Sequence, residues 1–308
     1  MFPSHKQSQF VKIPIMEQSF IFSSTFLVST EIKESFDANG FVIIRNILSG
    51  EEIAKLLDFY ENSEEIKLHS YGRDDGLEKK TKVCLWNYAG DDIGDMVSRS
   101  EKIVTTFEEL LGGELYHYHS KLMMKEARTG GQHVWHQDYG YWYENGCLFP
   151  DMGSVFIALD PCIKENGCLQ VLAGLHMMGR FNTSLIGSGV TQRGADLERV
   201  EQARKVCRHV FVELNPGDAV FFHSNLLHTS AQNLSDKRRW SMICAYNTRT
   251  NNPMWDHHHP KYHALQKVEN SMILDCTNRV SSVDKDYFHP KDDVSIREKI
   301  NPGMDRKE

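Results

Sequence analysis

Hydrophobic and polar positions follow two rhythms along this chain, and the change comes near its middle. In the N-terminal third the apolar residues recur at helical intervals. Residues 31–38 read as a helix that Gly40 stops, and 41–47 read as a short strand. Ser49-Gly-Glu-Glu52 has the spacing of a capping box. It precedes Ile53, Leu56, Leu57 and Tyr60, which share one helical face. A further helix is predicted over 100–111, ended by Gly112-Gly113.

Beyond it, short runs rich in β-branched and aromatic residues alternate with turn signals. These strand signals cover 154–159, 168–172, 210–214, 219–223 and 241–246. Asn166-Gly167 is a hairpin signal, and Asn215-Pro-Gly-Asp218 is a turn cluster. Helices first and many short strands later predict an all-β core with flanking helices, a double-sheet barrel. The polar segment 179–206, helical toward its end, interrupts the strands as a surface insertion or a lid. With no repeat and no long linker, an arm over 1–30 and one domain over 31–308 is the simplest organisation.

A chain of 308 residues can bury a substantial core, and 40% hydrophobic with 25% charged residues is ordinary globular composition. The net charge of -7 leaves no basic domain to neutralise phosphates, which excludes nucleic acid as a partner. No apolar run of about 18 residues is present, so no membrane span is expected. Seven cysteines (Cys84, Cys147, Cys162, Cys168, Cys207, Cys244 and Cys276) form no CxxC pair. They read as reduced thiols packed as small apolar groups, as in a cytoplasmic protein. The first thirty residues are Ser-rich with Glu17 as their only acid, like a transit segment, yet they lack arginine and read as a loose arm. Asp305-Arg-Lys-Glu308 is no peroxisomal address.

The candidate chemistry begins at Trp135-His136-Gln137-Asp138. On a strand, residues i and i+2 face the same side, so His136 and Asp138 stand together. A hydrogen-bonded pair on a surface strand would account for these two alone. His228, 92 residues downstream in Leu226-Leu-His228-Thr-Ser230, supplies a third donor. Two histidines and one carboxylate hold one face of Fe(II) and leave three positions open for a bidentate co-substrate and O2. Three consecutive histidines, His257-His-His259, cannot all face one site on regular structure and read as a surface loop.

This ordered set resembles the phytanoyl-CoA dioxygenase family of Fe(II)/2-oxoglutarate oxygenases, the ectoine hydroxylases included. The resemblance runs from about Phe36 to Tyr246. It covers Phe36-Asp-Ala-Asn-Gly-Phe-Val-Ile-Ile-Arg45, Trp135-His-Gln-Asp138, Glu165-Asn-Gly-Cys-Leu-Gln170, Pro216-Gly-Asp218, and His228 with an arginine eleven residues later. It implies a double-stranded β-helix, a jelly-roll of cupin-like form. It further implies a hydroxylase that consumes 2-oxoglutarate and O2, releases succinate and CO2, and acts on a small-molecule substrate. Where the family often has Pro-Gly-Ser-His, this chain has Ala173-Gly-Leu-His176, so His176 is taken as structural.

The far carboxylate of 2-oxoglutarate needs a buried cation, and an arginine fork suits it. The family position falls on Arg239; Arg238, its neighbour on a strand, points the other way. Lys121, in His117-Tyr-His-Ser-Lys121, either supports a carboxylate of co-substrate or substrate or is a surface residue. Ser154 lies near a position that contacts the co-substrate in similar enzymes. In Tyr139-Gly-Tyr-Trp-Tyr143, Trp142 matches a tryptophan that lines the iron pocket of the ectoine hydroxylases, and Tyr139 is a second substrate-binding candidate. An aromatic wall excludes water and stacks on a cationic or planar substrate. No proton-transfer residue is required beyond the metal ligands. A halogenase needs its carboxylate position open for chloride, and Asp138 fills it. The alternative reading is a catalytically idle barrel that binds a metabolite or a partner. Acyl-CoA binding would want a basic surface groove, and the sequence locates none.

Overall fold

Capping residues act where their spacing puts them. The computed structural model describes residues 18–181, 183–185 and 192–290. Most of the N-terminal arm, the centre of the 179–206 segment and the C-terminal Asp-Arg-Lys-Glu lie outside the described residues. Strand β1 (Ser19–Ile21) leads to α1 (Thr30–Asn39). Ser29 accepts a hydrogen bond from the Ile32 amide at its start, and Gly40 closes it with a left-handed φ of 78°. Strand β2 (Phe41–Arg45) follows at once. Ser49 and Glu52 close the reciprocal capping box on α2 (Gly50–Asn62), at 3.2 Å and 2.7 Å.

Next come α3 (Glu64–His69), β3 (Tyr71–Asp74), β4 (Lys80–Trp86), α4 (Ile93–Arg99) and α5 (Glu101–Leu111). The second half supplies β5 (Leu115–Lys125), β6 (His133–His136), α6 (Asp138–Glu144), β7 (Met152–Ala158), β8 (Leu169–Leu172), β9 (Thr183–Leu185) and β10 (Arg193–Ala195). It ends with α7 (Leu197–Val206), β11 (His209–Val212), β12 (Ala219–His223), β13 (His228–Ser230), β14 (Arg239–Thr248) and the short α8 (Met272–Asp275).

The large sheet runs β1-β2-β12-β7-β14-β5-β4-β3, and the smaller runs β11-β8-β13-β6. Within both, neighbours are antiparallel except the β1–β2 pair. Together they make a double-stranded β-helix, as the sequence implied.

Strand parity decides which core each side chain joins. Val42, Ile44, Val155, Ile157, Phe221 and Met242 pack under α1, α2, α4 and α5. The alternate residues Phe41, Ile43, Phe156, Val220, Phe222 and Ile243 face Leu169, Val171 and Val212 of the smaller sheet. Both faces of the large sheet are therefore dry, which is why its strands read as unbroken apolar runs. Each fully buried Phe or Ile contributes roughly 1.5–3 kcal/mol. The thiols pack as apolar groups: burial pushes those of Cys84, Cys162 and Cys244 up to about 12. No helix among the described residues is long and apolar enough to cross a membrane.

The Pro216-Gly-Asp218 turn has a structural reason. Gly217 has φ +90°, and a Cβ there would lie 2.3 Å from the Leu48 carbonyl oxygen. The buried Asp218 carboxylate accepts from the Asn46 amide at 2.9 Å, the Asn215 amide at 2.9 Å and Arg45 at 2.8 Å. One expectation needs correction. Asn166-Gly167 makes no hairpin: Lys164–Asn166 form a 3-10 turn capped by Gly167, and the strands on either side belong to different sheets. The sequence also gave no sign of α4, because it is buried all round and carries no amphipathic stripe.

The last described residues fold back over the large sheet. The Phe288 amide donates to the Leu85 carbonyl at 3.0 Å, and Trp86 bridges to Tyr287. Lys285, buried, pairs with Asp92 at 2.8 Å and Asp95 at 2.7 Å and lies 4.5 Å over the Trp86 ring. Lys285→Met would leave two carboxylates buried together. It should lower the unfolding free energy by about 3–5 kcal/mol, the cost of breaking a buried pair. Urea denaturation measures this, and an unchanged midpoint would contradict it.

Candidate metal centre and active site

The two histidines meet because their strands are neighbours. β13 pairs with β6, and His228 and His136 are direct Cα partners across that ladder. The His136–Asp138 pair is built differently from a plain strand. β6 ends at His136, Gln137 remains extended at φ -111° and ψ 133°, and Asp138 opens α6. One extended residue preserves the i, i+2 relation, so the two side chains still share a face. Gln137 points away and donates to the Asn225 carbonyl at 2.8 Å.

Hydrogen bonds set the tautomers. His136 Nδ1 lies 2.7 Å from the Val134 carbonyl oxygen, and His228 Nδ1 lies 2.9 Å from that of Leu226. A carbonyl only accepts, so each Nδ1 carries the proton and each Nε2 keeps its lone pair for a metal. The two Nε2 atoms stand 3.6 Å and 3.9 Å from Asp138 Oδ1. Asp138 Oδ2 accepts from the Ser154 hydroxyl at 3.0 Å, which leaves Oδ1 to face the histidines. Burial alone would push the Asp138 carboxyl up. The electrostatics of the neighbouring His136, His228 and Lys121 outweigh it and hold the group well below the usual carboxylate range. Burial, then the neighbouring His136, pulls His228 down to about 3. At neutral pH Asp138 is thus a carboxylate and His228 a neutral imidazole, as binding of a divalent metal requires, and the carbonyl bonds turn the Nε2 of both histidines toward the carboxylate. The trio is also the one three-donor cluster found among the described residues.

Behind the trio lies an inner cavity lined by Lys121, Phe156, Phe222, Ile243 and Arg239. Arg239 is 1% exposed, and its Nε has no hydrogen-bond partner. Its guanidinium stands 5.5 Å over the Phe156 ring. Arg238 faces outward to Glu61 at 2.6 Å and Asp160 at 3.1 Å. The alternation expected of the two arginines is therefore observed. Lys125, the strand partner of Arg239, donates to Ser230 at 3.0 Å. Burial, and then Arg239 itself, push its ammonium well down. A guanidinium keeps its proton where a lysine gives one up, so Arg239 is the cation that needs an anion here.

An outer cavity opens on the other side of Asp138 and His136. The aromatic segment that follows Asp138 is helical, and helical spacing chooses its lining. Asp138, Tyr141, Trp142 and Asn145 fall at i, i+3, i+4 and i+7 and all line this cavity. Trp142 packs edge-on against Tyr118 and His119, with centroids at 5.5 Å and 5.9 Å. Tyr139 lines neither cavity; its hydroxyl donates to the Leu148 carbonyl, and Tyr141 takes the place expected for it. Ser154 also lines neither cavity; its hydroxyl donates to Asp138 Oδ2 at 3.0 Å. Lys121 lines both and is not a surface residue. His176 is held at the Asp37 carbonyl, 3.0 Å away, outside both cavities.

The histidine triplet lies in a half-exposed loop, as expected, and two of its members also reach the outer cavity. His258 and His259 line the outer cavity, where His259 stacks on His119 at 4.6 Å and donates to Asn87 Oδ1 at 2.7 Å. His119, His133, Arg73, Tyr71 and Phe288 complete what sequence reasoning missed. Alternation on β5 already put His119 on the face of Lys121. Tyr71, Arg73 and Phe288 carried no such signal, since their pairing partners are distant in the chain.

Comparison with known proteins agrees with this geometry. The family described as phytanoyl-CoA dioxygenase (PhyH) matches residues 36–241. The L-proline trans-4-hydroxylase of Streptomyces griseoviridis is 34% identical over 176 residues, 53% of this chain and 66% of that protein. The ectoine dioxygenase of Nocardia farcinica is 25% identical over 240 residues, 73% of this chain and 79% of that protein. The structure of EctD from S. alaskensis with 2-oxoglutarate and 5-hydroxyectoine shares the fold, with a TM-score of 0.65 at 18% identity. That match covers 88% of this chain and 98% of EctD.

The Ser154 hydrogen bond has a measurable consequence. Ser154→Ala should weaken Fe(II) affinity by about 10–100-fold, the usual effect of removing a partner that orients a metal ligand. Anaerobic Fe(II) titration followed by calorimetry checks it, and unchanged affinity would show that Asp138 is held without Ser154.

Proposed function

The chain belongs to the phytanoyl-CoA dioxygenase family, and from that premise we propose that His136, Asp138 and His228 hold one Fe(II) while Arg239 receives the distal carboxylate of 2-oxoglutarate. The enzyme is an Fe(II)- and 2-oxoglutarate-dependent dioxygenase. Bound there, Fe(II) lets O2 react at the expense of 2-oxoglutarate: one oxygen atom enters the substrate as hydroxyl, the other enters succinate, and CO2 leaves. The observation that carries the residue assignment is the buried Arg239, its Nε unpartnered, in the cavity that the three donors also line.

The chain's own residues bind, orient and exclude water. His136 and His228 present Nε2, and Ser154 turns the Asp138 carboxylate toward them. Phe156, Phe222 and Ile243 keep the inner cavity dry, which strengthens an arginine–carboxylate pair. Lys121, on the border of the two cavities, faces the carboxylates that gather at the metal. Trp142 and Tyr141 wall the side from which the small-molecule substrate approaches. An idle barrel would bury the Arg239 charge with no carboxylate in its cavity to pair with it except Asp138, which faces the two histidines.

We read residues 31–308 as one oxygenase domain. Seven free thiols favour work in the reducing cytoplasm.

Truncating one partner of a buried charged pair costs about 2–5 kcal/mol. Arg239→Ala should therefore raise the dissociation constant of 2-oxoglutarate by tens to thousands of fold, at roughly 1.4 kcal/mol per factor of ten. Arg238→Ala should change it by less than about tenfold, because that side chain is paired at the surface. Titration of 2-oxoglutarate under anaerobic Fe(II) decides between them, and the reverse order would refute the assignment. Asp138→Ala should abolish substrate hydroxylation, since it removes both a charge and a coordination position. Wild-type product formation by that variant would show that Asp138 is no ligand.

A further inference from the structure

The outer cavity carries a charge that its own walls do not neutralise. Tyr71 and Arg73 lie two residues apart on β3, the edge strand of the large sheet, and both line this cavity. Arg73 is half-buried and makes no hydrogen bond or ion pair with any described residue. The acids beside it in the chain are committed elsewhere. Asp74 is engaged by Lys80 at 3.6 Å and by the Gly76 amide at 2.8 Å. Asp75 accepts from the amides of Leu77, Lys79 and Gln132 and from the Gln232 side chain. The only carboxylate lining the outer cavity among the described residues is Asp138, which already faces two histidines and is held by Ser154.

Arg73 is separate from the machinery of the inner cavity, which it does not line. Its field nevertheless reaches the site. Burial is what chiefly lowers the proton affinity of Lys121 and His133, and Arg73 adds to both. A substrate cation would thus find repulsion from Arg73 and Lys121 and no free carboxylate. A substrate anion would find a planar fork of donors at the mouth and apolar rings between that fork and the metal ligands.

Resting on the functional reading above, we propose that the substrate is an organic acid whose carboxylate pairs with Arg73 while its carbon skeleton lies along Tyr141, Trp142 and Phe288. Arg73 then sets which end of the molecule stays at the mouth and which C–H bond reaches the three donors. The pair is a charge-assisted, two-pronged contact, so a carboxamide of the same shape is a poor replacement.

The test uses the full chain with Fe(II) and saturating 2-oxoglutarate, without oxygen. Benzoate, phenylacetate, cinnamate and 4-methylpentanoate are each titrated beside the matching carboxamide by calorimetry. At least one acid should bind about tenfold or more tightly than its amide. Arg73→Gln should abolish that preference, and Arg73→Lys should retain part of it. Arg73→Gln should leave the 2-oxoglutarate dissociation constant within about twofold. The proposal is overturned if no acid outbinds its amide in the wild-type protein, or if the preference survives in Arg73→Gln. It is also overturned if Arg73→Gln loses 2-oxoglutarate affinity, which would give Arg73 to the co-substrate and leave the functional reading intact. Acid binding through Arg73 by a protein that takes up no 2-oxoglutarate would instead sink the functional reading and support this one.

Discussion

The cross-strand pairing of His136 with His228 is the constraint on which the site depends. Side chains alternate along a strand, so a slip of one residue in this ladder would send one imidazole to the opposite face. The register is held by packing on both flanks. β13 is also bonded to β8, and His228 lies opposite Val171 in that second ladder, with Phe222 packed against its ring at 5.0 Å. Each imidazole is then fixed by a carbonyl two residues earlier in its own strand or loop. The two Nε2 atoms are thereby aimed by the backbone itself, while the Asp138 carboxylate is oriented by the Ser154 hydroxyl.

A second ordering comes from the way buried charge is distributed. Where the fold needs rigidity, charges are paired inside the protein: Lys102 with Glu52 at 2.7 Å, and Lys285 with Asp92 and Asp95. In the two cavities, arginine charges have no carboxylate partner among the described residues. Arg239 in the inner cavity and Arg73 in the outer one face space that no described carboxylate fills. Leaving a charge unpaired costs stability, and that cost becomes binding energy when an anion arrives.

The aromatic helix after Asp138 links the two cavities. Its first residue is the carboxylate of the three-donor cluster, and its next turn places Tyr141, Trp142 and Asn145 on the same face. The C-terminal strap reaches the same mouth from the other side. Lys285 pins that strap to Asp92 and Asp95, and Phe288 arrives at the cavity as a result. A residue some 150 positions beyond Asp138 therefore shapes the cavity that Asp138 and His136 line.

The sequence by itself determined whatever depends on near neighbours. The capping box at Ser49 and Glu52, the helix stops at Gly40 and Gly112, and the apolar runs of β2, β7, β12 and β14 are local, because caps and alternation act within a few residues. The metal trio was legible for the same reason: His136 and Asp138 are two apart, and one further histidine at a strand start completed the set. Parity also separated Arg239 from Arg238. Tertiary structure alone decided the rest. Helical spacing put Tyr141 and not Tyr139 on the cavity wall, and the Ser154 hydroxyl donates to Asp138. Only long-range strand pairing and the folded-back strap could bring Tyr71, Arg73, His259 and Phe288 to one cavity, since no short-range pattern records which distant segments will lie side by side.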